Sequence, residues 1–217
     1  MSFIQASKNL TKFIAVFMLS AFLFAGCAEK QLPTHKDTEN GETDAIAFQE
    51  TTTETDFVKI EMMDGGIIIA ELYPDIAPIT VLNFKKLVSQ GFYNGLIFHR
   101  VIENFVIQGG DPTGTGYYGS DETIKGEFGI NGISNTLNHT AGVISMARGE
   151  DPNSASSQFF ICHGDCRDSL DGRYAGFGKV IAGMDVVNRI ATTETDYKDK
   201  PVTDQQISSI KFVEIEK

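Results

Sequence analysis

The chain has 217 residues, a formal net charge of −11 and three cysteines. Its length allows one domain with a large core, which excludes a small scaffold held together by disulfides. With 29 acidic residues against 18 lysines and arginines, it lacks the basic face that nucleic-acid phosphates require, so no nucleic-acid partner is expected.

The first 26 residues have the pattern of an export signal. Two lysines precede an uncharged run, residues 13–26, that is too short to span a bilayer comfortably. The run leads into Leu23-Phe24-Ala25-Gly26-Cys27, which resembles a bacterial lipoprotein box, in which the cysteine is diacylated and becomes the new N-terminus. We therefore expect an exported protein, anchored by a lipid on Cys27 to the cell membrane, at the bacterial cell surface or the periplasmic side. An ordinary secretory signal and an uncleaved anchor are the alternatives.

Residues 27–56 predict the lipidated cysteine followed by a disordered acidic tether. Residues 28–56 contain eight acidic residues, two lysines and almost no large apolar side chains. Such a segment buries too little surface to offset its ordering entropy. Loss of the two signal lysines takes the net charge from −11 to −13, so the lipid rather than charge would hold the protein at an anionic membrane.

Residues 57–217 alternate short apolar segments with turns and predict the globular domain. Residues 57–63 and 67–73 flank Asp64-Gly65-Gly66, which is typical of a β-hairpin. An amphipathic helix is predicted from Pro78 to a C-terminal Gly91. Further strands are predicted at 96–102, 105–107, 142–146, 158–162, 176–181 and 207–215, with a second helix at 184–191. Many short strands with few helices favour a barrel or a sandwich.

The segment from Gly109 to Thr140 has no regular periodicity. A loop of this length in a compact domain is usually functional. Its Gly114-Thr115-Gly116 lacks the Gly-Lys-Ser/Thr ending and the following helix of a phosphate-binding loop. We therefore expect neither nucleotide binding nor any other cofactor.

Five segments carry a family resemblance. Phe98-His-Arg-Val-Ile-Glu-Asn-Phe-Val-Ile-Gln-Gly-Gly-Asp111 resembles the most characteristic segment of the cyclophilin family of peptidyl-prolyl cis/trans isomerases. The segments 142–147, 157–161, 170–172 and 177–180 recur in family order, so the resemblance covers essentially all of 57–217. It implies a mostly-β fold, a closed eight-stranded antiparallel β-barrel with a helix over each open end. Because side chains fill such a barrel, the substrate would lie in an outer groove.

The implied activity is isomerisation of X–Pro bonds in exported proteins, assisting their folding, by a monomer that binds proline-containing polypeptides. The X–Pro amide is held planar by resonance, with a barrier of about 18–20 kcal/mol, and no covalent bond breaks when it rotates. A catalyst holds the proline ring and favours the twisted amide. It needs an apolar pocket, a hydrogen-bond donor near the prolyl nitrogen or carbonyl, and groups that bind the substrate backbone.

The resemblance assigns these parts to ten residues. Arg100 matches the family's catalytic arginine by position, and its permanently charged, forked guanidinium is suited to donate to the twisted amide. Phe105 and Gln108 complete the catalytic set. The remaining, substrate-binding residues are Val106, Ala147, Arg148, Gln158, Phe160, Leu170 and Tyr174. The alternatives are a surface ion pair for the arginine, core packing for the phenylalanines, and capping of neighbouring loops for the glutamines.

Four positions depart from the family pattern. Val106 replaces a common methionine, Arg148 replaces asparagine in many members, and Tyr174 replaces the usual histidine. Ser169 stands where the family has a tryptophan whose indole contacts the cyclic peptide cyclosporin. The serine predicts weak cyclosporin binding. Val106, Ser169 and Tyr174 together leave open a competing function, a module that binds proline peptides but turns them over slowly.

The remaining thiols and histidines are interpreted as structural. Cys162-His163-Gly164-Asp165-Cys166 has spacing close to a metal motif, but a second pair of ligands is missing nearby, so no metal site is predicted. Buried thiols are the favoured interpretation, and a local disulfide is the alternative. His99 and His139 lie inside family motifs, and the sequence implies no Ser-His-Asp arrangement.

Overall fold

The structure, a computed structural model, describes residues 46–216. The predicted signal, Cys27 and most of the predicted tether lie outside the described residues. The described residues contain nine strands: β1 (Phe48–Glu50), β2 (Phe57–Met62), β3 (Ile67–Leu72), β4 (Phe98–Ile102), β5 (Val106–Gly109), β6 (Val143–Met146), β7 (Phe159–Cys162), β8 (Ala175–Ala182) and β9 (Ile207–Ile215). The helices are α1 (Pro78–Ser89), α2 (Arg167–Leu170) and α3 (Met184–Ala191), with a 3₁₀ turn at Gly129–Asn131.

All nine strands form one antiparallel sheet in the order β1-β9-β2-β3-β8-β6-β7-β5-β4. Eight of them fall within 57–217, the number expected from the sequence. The segments just before β4 and β9 are joined by the bridge between Ile97 and Gln206 and by backbone hydrogen bonds beside it, but not by a strand ladder, and the outermost strands β1 and β4 do not pair with each other. Closure of the predicted barrel is therefore not confirmed.

The core lies between this sheet and the two longer helices. Pro78 opens α1 at a position where its missing N–H costs nothing, and the helix buries Val81, Phe84 and Leu87. Phe84 packs against the rings of Tyr93, Phe159 and Phe177, with centroids 5.1–5.6 Å apart. Burial of such rings removes a large apolar area from water, which makes this cluster a major source of stability.

Two elements differ from the sequence-based expectations. β1 belongs to the segment predicted as a disordered tether, but it pairs with β9, and Glu50 forms ion pairs with Lys59 and Lys211. The order of this short strand comes from its partner strand, and its own composition carries no sign of it. The helix α2 is a third helix where two were predicted, and its four residues are too few for an amphipathic pattern.

Candidate active site

Three neighbouring strands place the central side chains of the site in one row. Arg100 of β4 pairs with Gln108 of β5, which in turn pairs with Phe160 of β7. Side chains alternate between the faces of a strand, so these three share one face. Their neighbours Val101 and Ile107 are buried in the main core on the other face. The strand register alone therefore brings a permanent cation, an amide and an aromatic ring together.

A cavity of about 90 Å³ opens beside this row. Its lining contains nine of the ten predicted site residues: Arg100, Phe105, Val106, Gln108, Ala147, Arg148, Phe160, Leu170 and Tyr174. The cavity suits one small apolar group such as a five-membered ring. Gln158 is the predicted residue that does not line it; Gln158 lines an adjoining cavity of about 390 Å³ together with Gln108, Ala147 and Arg148.

The apolar wall is a hydrophobic cluster separate from the main core. Val106, Phe160 and Leu170 are at most 5% exposed and pack with the partly buried Phe105 and Tyr174. The Tyr174 ring meets Phe160 edge-on, with centroids 5.7 Å apart. The alternative interpretation, in which these residues only pack in the core, is thus incomplete, because the cluster that buries them also borders the cavity.

A hydrogen-bonded chain supports the wall from behind. His139 stacks on Phe160, its Nδ1 lies 2.8 Å from Asp171 Oδ1, and its Nε2 lies 2.9 Å from Ser145 Oγ. The structure thus contains a Ser-His-Asp arrangement that the sequence does not imply. Ser145 is fully buried, however, so no substrate reaches its hydroxyl. The chain satisfies the polar groups of His139 and fixes the ring against which Phe160 rests.

Arg100 lies at the rim of the small cavity, with its side chain 38% exposed. Its Nε is 3.6 Å from Asp199 Oδ2. The surface ion pair considered as an alternative for Arg100 is therefore present, and it coexists with a position beside the apolar wall. Sequence reasoning missed Asp199, because it is separated from Arg100 by almost a hundred positions and lies in a segment without a motif.

The two glutamines are hydrogen-bonded to each other and to the long loop. Gln108 Nε2 donates to Gln158 Oε1 at 2.8 Å, and Gln158 Nε2 donates to the carbonyls of Gly116 and Tyr118 at 3.1 and 2.7 Å. The structure thus shows the alternative role for Gln158, in which its amide caps a neighbouring loop. The same hydrogen bonds hold the side-chain oxygen of Gln158 toward Gln108, which fixes the amide of Gln108 beside Arg100.

Arg148 lies over the aromatic ring of Tyr174 at the edge of the site. Its guanidinium carbon lies 4.9 Å from the ring centroid of Tyr174, and its Nε donates to the carbonyl of Arg173 at 3.1 Å. A cation over a ring face is attracted by the ring quadrupole. The arginine that replaces the family's asparagine therefore holds the position of Tyr174, the other departure on this side of the cavity.

Comparisons with known proteins identify the family of the chain. A family model described as "Cyclophilin type peptidyl-prolyl cis-trans isomerase/CLD" matches residues 57–212. The chain belongs to the cyclophilin-type peptidyl-prolyl cis-trans isomerases. It is 47% identical over 138 residues to peptidyl-prolyl cis-trans isomerase ppi1 of Schizosaccharomyces pombe, covering 63% of this chain and 86% of the relative. It is 40% identical over 150 residues to isomerase CYP18-2 of Arabidopsis thaliana, covering 69% and 89%.

Solved cyclophilins share the fold. The crystal structure of a cyclophilin-type isomerase of Cryptosporidium parvum, obtained in the presence of the dipeptide Ala-Pro, matches with a TM-score of 0.65 and 34% sequence identity. The match covers 71% of this chain and 97% of that one. This agreement is consistent with the mostly antiparallel sheet and its helices described above.

The two cysteines within residues 46–216 are buried and free. Cys162 and Cys166 form no disulfide, and the Cys166 thiol lies 3.2 Å from the carbonyl oxygen of Phe105. Burial raises the pKa of both thiols, which disfavours the thiolate needed for redox or metal chemistry. His163 instead accepts a hydrogen bond from the Asn104 N–H at 2.8 Å, and Asp165 pairs with Arg167. Among residues 46–216 no three histidine, cysteine or acidic side chains form a group that could hold a metal ion.

The glycine-rich segment of the long loop wraps around a carboxylate of the chain itself. Asp111 is 1% exposed and accepts hydrogen bonds from the backbone N–H groups of Thr113, Thr115 and Gly116 at 2.7, 3.2 and 2.6 Å. Burial alone would raise the pKa of Asp111, but hydrogen bonds from Thr113, Tyr118 and Gly116 lower it overall. The donors that a phosphate would require are thus already used to shape the loop beside Gln158.

The two buried histidines predict a fall of stability in mild acid. Burial lowers the pKa of His99 and of His139, in the second case against an opposing interaction with Asp171. The unfolded chain binds protons at histidines below about pH 6.5, whereas the folded chain resists doing so. We expect the free energy of unfolding to be constant between pH 7 and 8 and to decrease as pH falls below about 6.5. Urea unfolding across this range measures it, and a flat profile down to pH 5 contradicts the assignment.

Proposed function

We propose that this cyclophilin isomerises X–Pro bonds in exported proteins, and so assists their folding, while a lipid on Cys27 anchors it to the bacterial cell membrane. The main observation that supports this isomerase site is the row Arg100–Gln108–Phe160 beside a cavity of about 90 Å³. The Cryptosporidium parvum relative was crystallised in the presence of Ala-Pro, a dipeptide whose proline has a five-membered ring of the kind that this cavity suits.

In the proposed mechanism the proline ring lies against Phe160, Val106 and Leu170, and the residue before proline stays outside, free to rotate. Rotation localises the lone pair on the prolyl nitrogen, because the amide loses its resonance. Arg100 is at the rim, where its guanidinium donates to the twisted amide more strongly than to the planar one. The apolar wall excludes water on one side, which strengthens that interaction. No proton is transferred, and no covalent bond forms or breaks.

The proposed location depends on the N-terminal segment. Among residues 46–216 there is no helix long and apolar enough to cross a membrane. The lipoprotein-like Leu23-Phe24-Ala25-Gly26-Cys27 supplies the anchor in this proposal.

Cys27→Ala is expected to abolish lipid attachment and to release the protein from the membrane fraction. The isomerase domain lies beyond residue 56, so activity per molecule is expected to stay at the wild-type level. Fractionation of the producing bacterium, with mass spectrometry of the N-terminal peptide, measures the result. Membrane retention of the variant with an intact signal segment would show an uncleaved anchor instead.

Ser169→Trp is expected to increase cyclosporin inhibition about tenfold or more. Ser169 is exposed on α2, next to the wall residue Leu170. An indole there adds a ring that can bury about 150–250 Å², and even partial contact at about 25 cal/mol per Å² is worth one to two kcal/mol. Inhibition curves for both proteins measure the change, with uninhibited turnover of a short prolyl peptide as the control. Nanomolar inhibition of the unmodified protein contradicts the prediction.

A further inference from the structure

The loop from Glu194 to Val202 is a rigid turn built around one carboxylate. Asp196 Oδ1 accepts the backbone N–H groups of Lys198 and Lys200 at 2.8 and 3.0 Å, and the Asp196 N–H donates to the Lys200 carbonyl at 2.8 Å. A bridge between Thr195 and Pro201 closes the base of the turn. With its backbone groups paired in this way, the turn presents residue 199 in a defined position.

The same turn is fastened to the strand that carries Arg100. The N–H of Val101 in β4 donates to the carbonyl of Asp199 at 2.8 Å. Asp199 has φ = 63°, in the left-handed region where glycine is the least strained residue. An aspartate is tolerated there better than most side chains, yet glycine would serve the turn equally well. The backbone therefore gives no reason for a carboxylate at this position.

The Asp199 side chain supplies that reason through its contact with Arg100. Asp199 Oδ2 lies 3.6 Å from Arg100 Nε, and the two side chains are 46% and 38% exposed. Nε is the guanidinium nitrogen nearest the aliphatic stem, so a contact there restrains the plane of the group without using the two nitrogens at its tip. In the described residues no other carboxylate forms an ion pair with Arg100.

We propose that Asp199 is a positioning residue for catalysis, which orients the Arg100 guanidinium toward the bound X–Pro amide. This inference rests on the proposed function. A neighbouring carboxylate also attenuates the field of the cation, so two effects oppose each other. Arginine keeps its charge in proteins, and the attraction within a half-exposed pair is small, whereas an unrestrained arginine side chain samples many rotamers. Orientation is therefore the larger effect, and loss of Asp199 lowers the rate.

Two variants separate the carboxylate from the turn. Asp199→Asn keeps the shape and the tolerance of positive φ but removes the charge, and Asp199→Gly relaxes the backbone while removing the side chain. We expect both to lower kcat about three- to fivefold, with KM within about twofold of wild type and an unchanged unfolding midpoint. Asp204→Asn, an exposed position outside the turn, is the control for the loss of one negative charge and is expected to leave kcat unchanged.

A double-mutant cycle with Arg100→Ala decides whether Asp199 acts through Arg100. In the Arg100→Ala background, Asp199→Asn is expected to have no further effect on kcat. The inference is overturned if Asp199→Asn and Asp199→Gly keep or raise wild-type kcat, or if either lowers it equally with and without Arg100. A wild-type chain inactive on prolyl peptides would refute the proposed function itself, whereas neutral Asp199 variants of an active enzyme would refute only this role.

Discussion

Arg100→Ala is expected to lower kcat for a prolyl peptide about 100-fold and to leave the fold intact. Removal of one preorganised donor to a developing charge typically costs a factor of about 10²–10³, and the 38% exposure of the Arg100 side chain places it at the lower end of that range. Its side chain lies at the cavity rim and outside the core, so the unfolding midpoint is expected to change little. A protease-coupled or NMR exchange assay of isomerisation, with circular dichroism of the variant, measures both quantities.

Arg100→Lys is the matched control for this loss. Lysine keeps the charge but lacks the planar fork, so partial activity between wild type and Arg100→Ala is expected if direction as well as charge matters. A folded Arg100→Ala variant that keeps more than about a third of wild-type activity would show that Arg100 is not the catalytic donor. If that variant still binds the peptide but no longer isomerises it, the result agrees with a catalytic role for Arg100. A protein that only binds proline peptides does not need this arginine.

The strands and the central residues of the site are predictable from the sequence because local patterns specify them. The hairpin around Asp64-Gly65-Gly66, helix α3 and strand β9 lie where alternation and helical periodicity place them. Nine site residues predicted from the family resemblance line one cavity. They meet there because strand register carries side chains to fixed places on a face, while their roles in catalysis and substrate binding stay predictions.

The contacts that support the site are not predictable in this way. Strand β1 is ordered by β9, the hydrogen bonds Asp171–His139–Ser145 join three separate segments, and Asp199 reaches Arg100 from a distant turn. Each depends on tertiary proximity that leaves no periodic signal in its own segment. Gln158 shows the same limit, because whether its amide serves the substrate or the loop depends on where the carbonyls of residues 116 and 118 lie.

Phe160→Ala is expected to lower the free energy of unfolding by about 3 kcal/mol or more and to lower kcat/KM for prolyl peptides. Phe160 is 4% exposed, stacks on His139 and meets Tyr174 edge-on. Truncation to alanine therefore removes apolar contacts and leaves a void between the His139 and Tyr174 rings. The loss also removes the wall against which the proline ring is proposed to lie. Urea unfolding and steady-state kinetics under conditions where the variant remains folded measure the two effects separately.

The neighbouring Phe159 provides a matched control that separates binding from stability. Phe159 is fully buried and packs in the main core against Phe84 and Tyr93, on the face of β7 opposite to Phe160. Phe159→Leu and Phe160→Leu each keep an apolar side chain, so both are expected to destabilise the fold by about 1–2 kcal/mol and remain folded. Only Phe160→Leu is expected to lower kcat/KM, because only that ring borders the cavity. Equal kcat/KM in the two variants would mean that Phe160 supports the fold without forming the proline-binding wall.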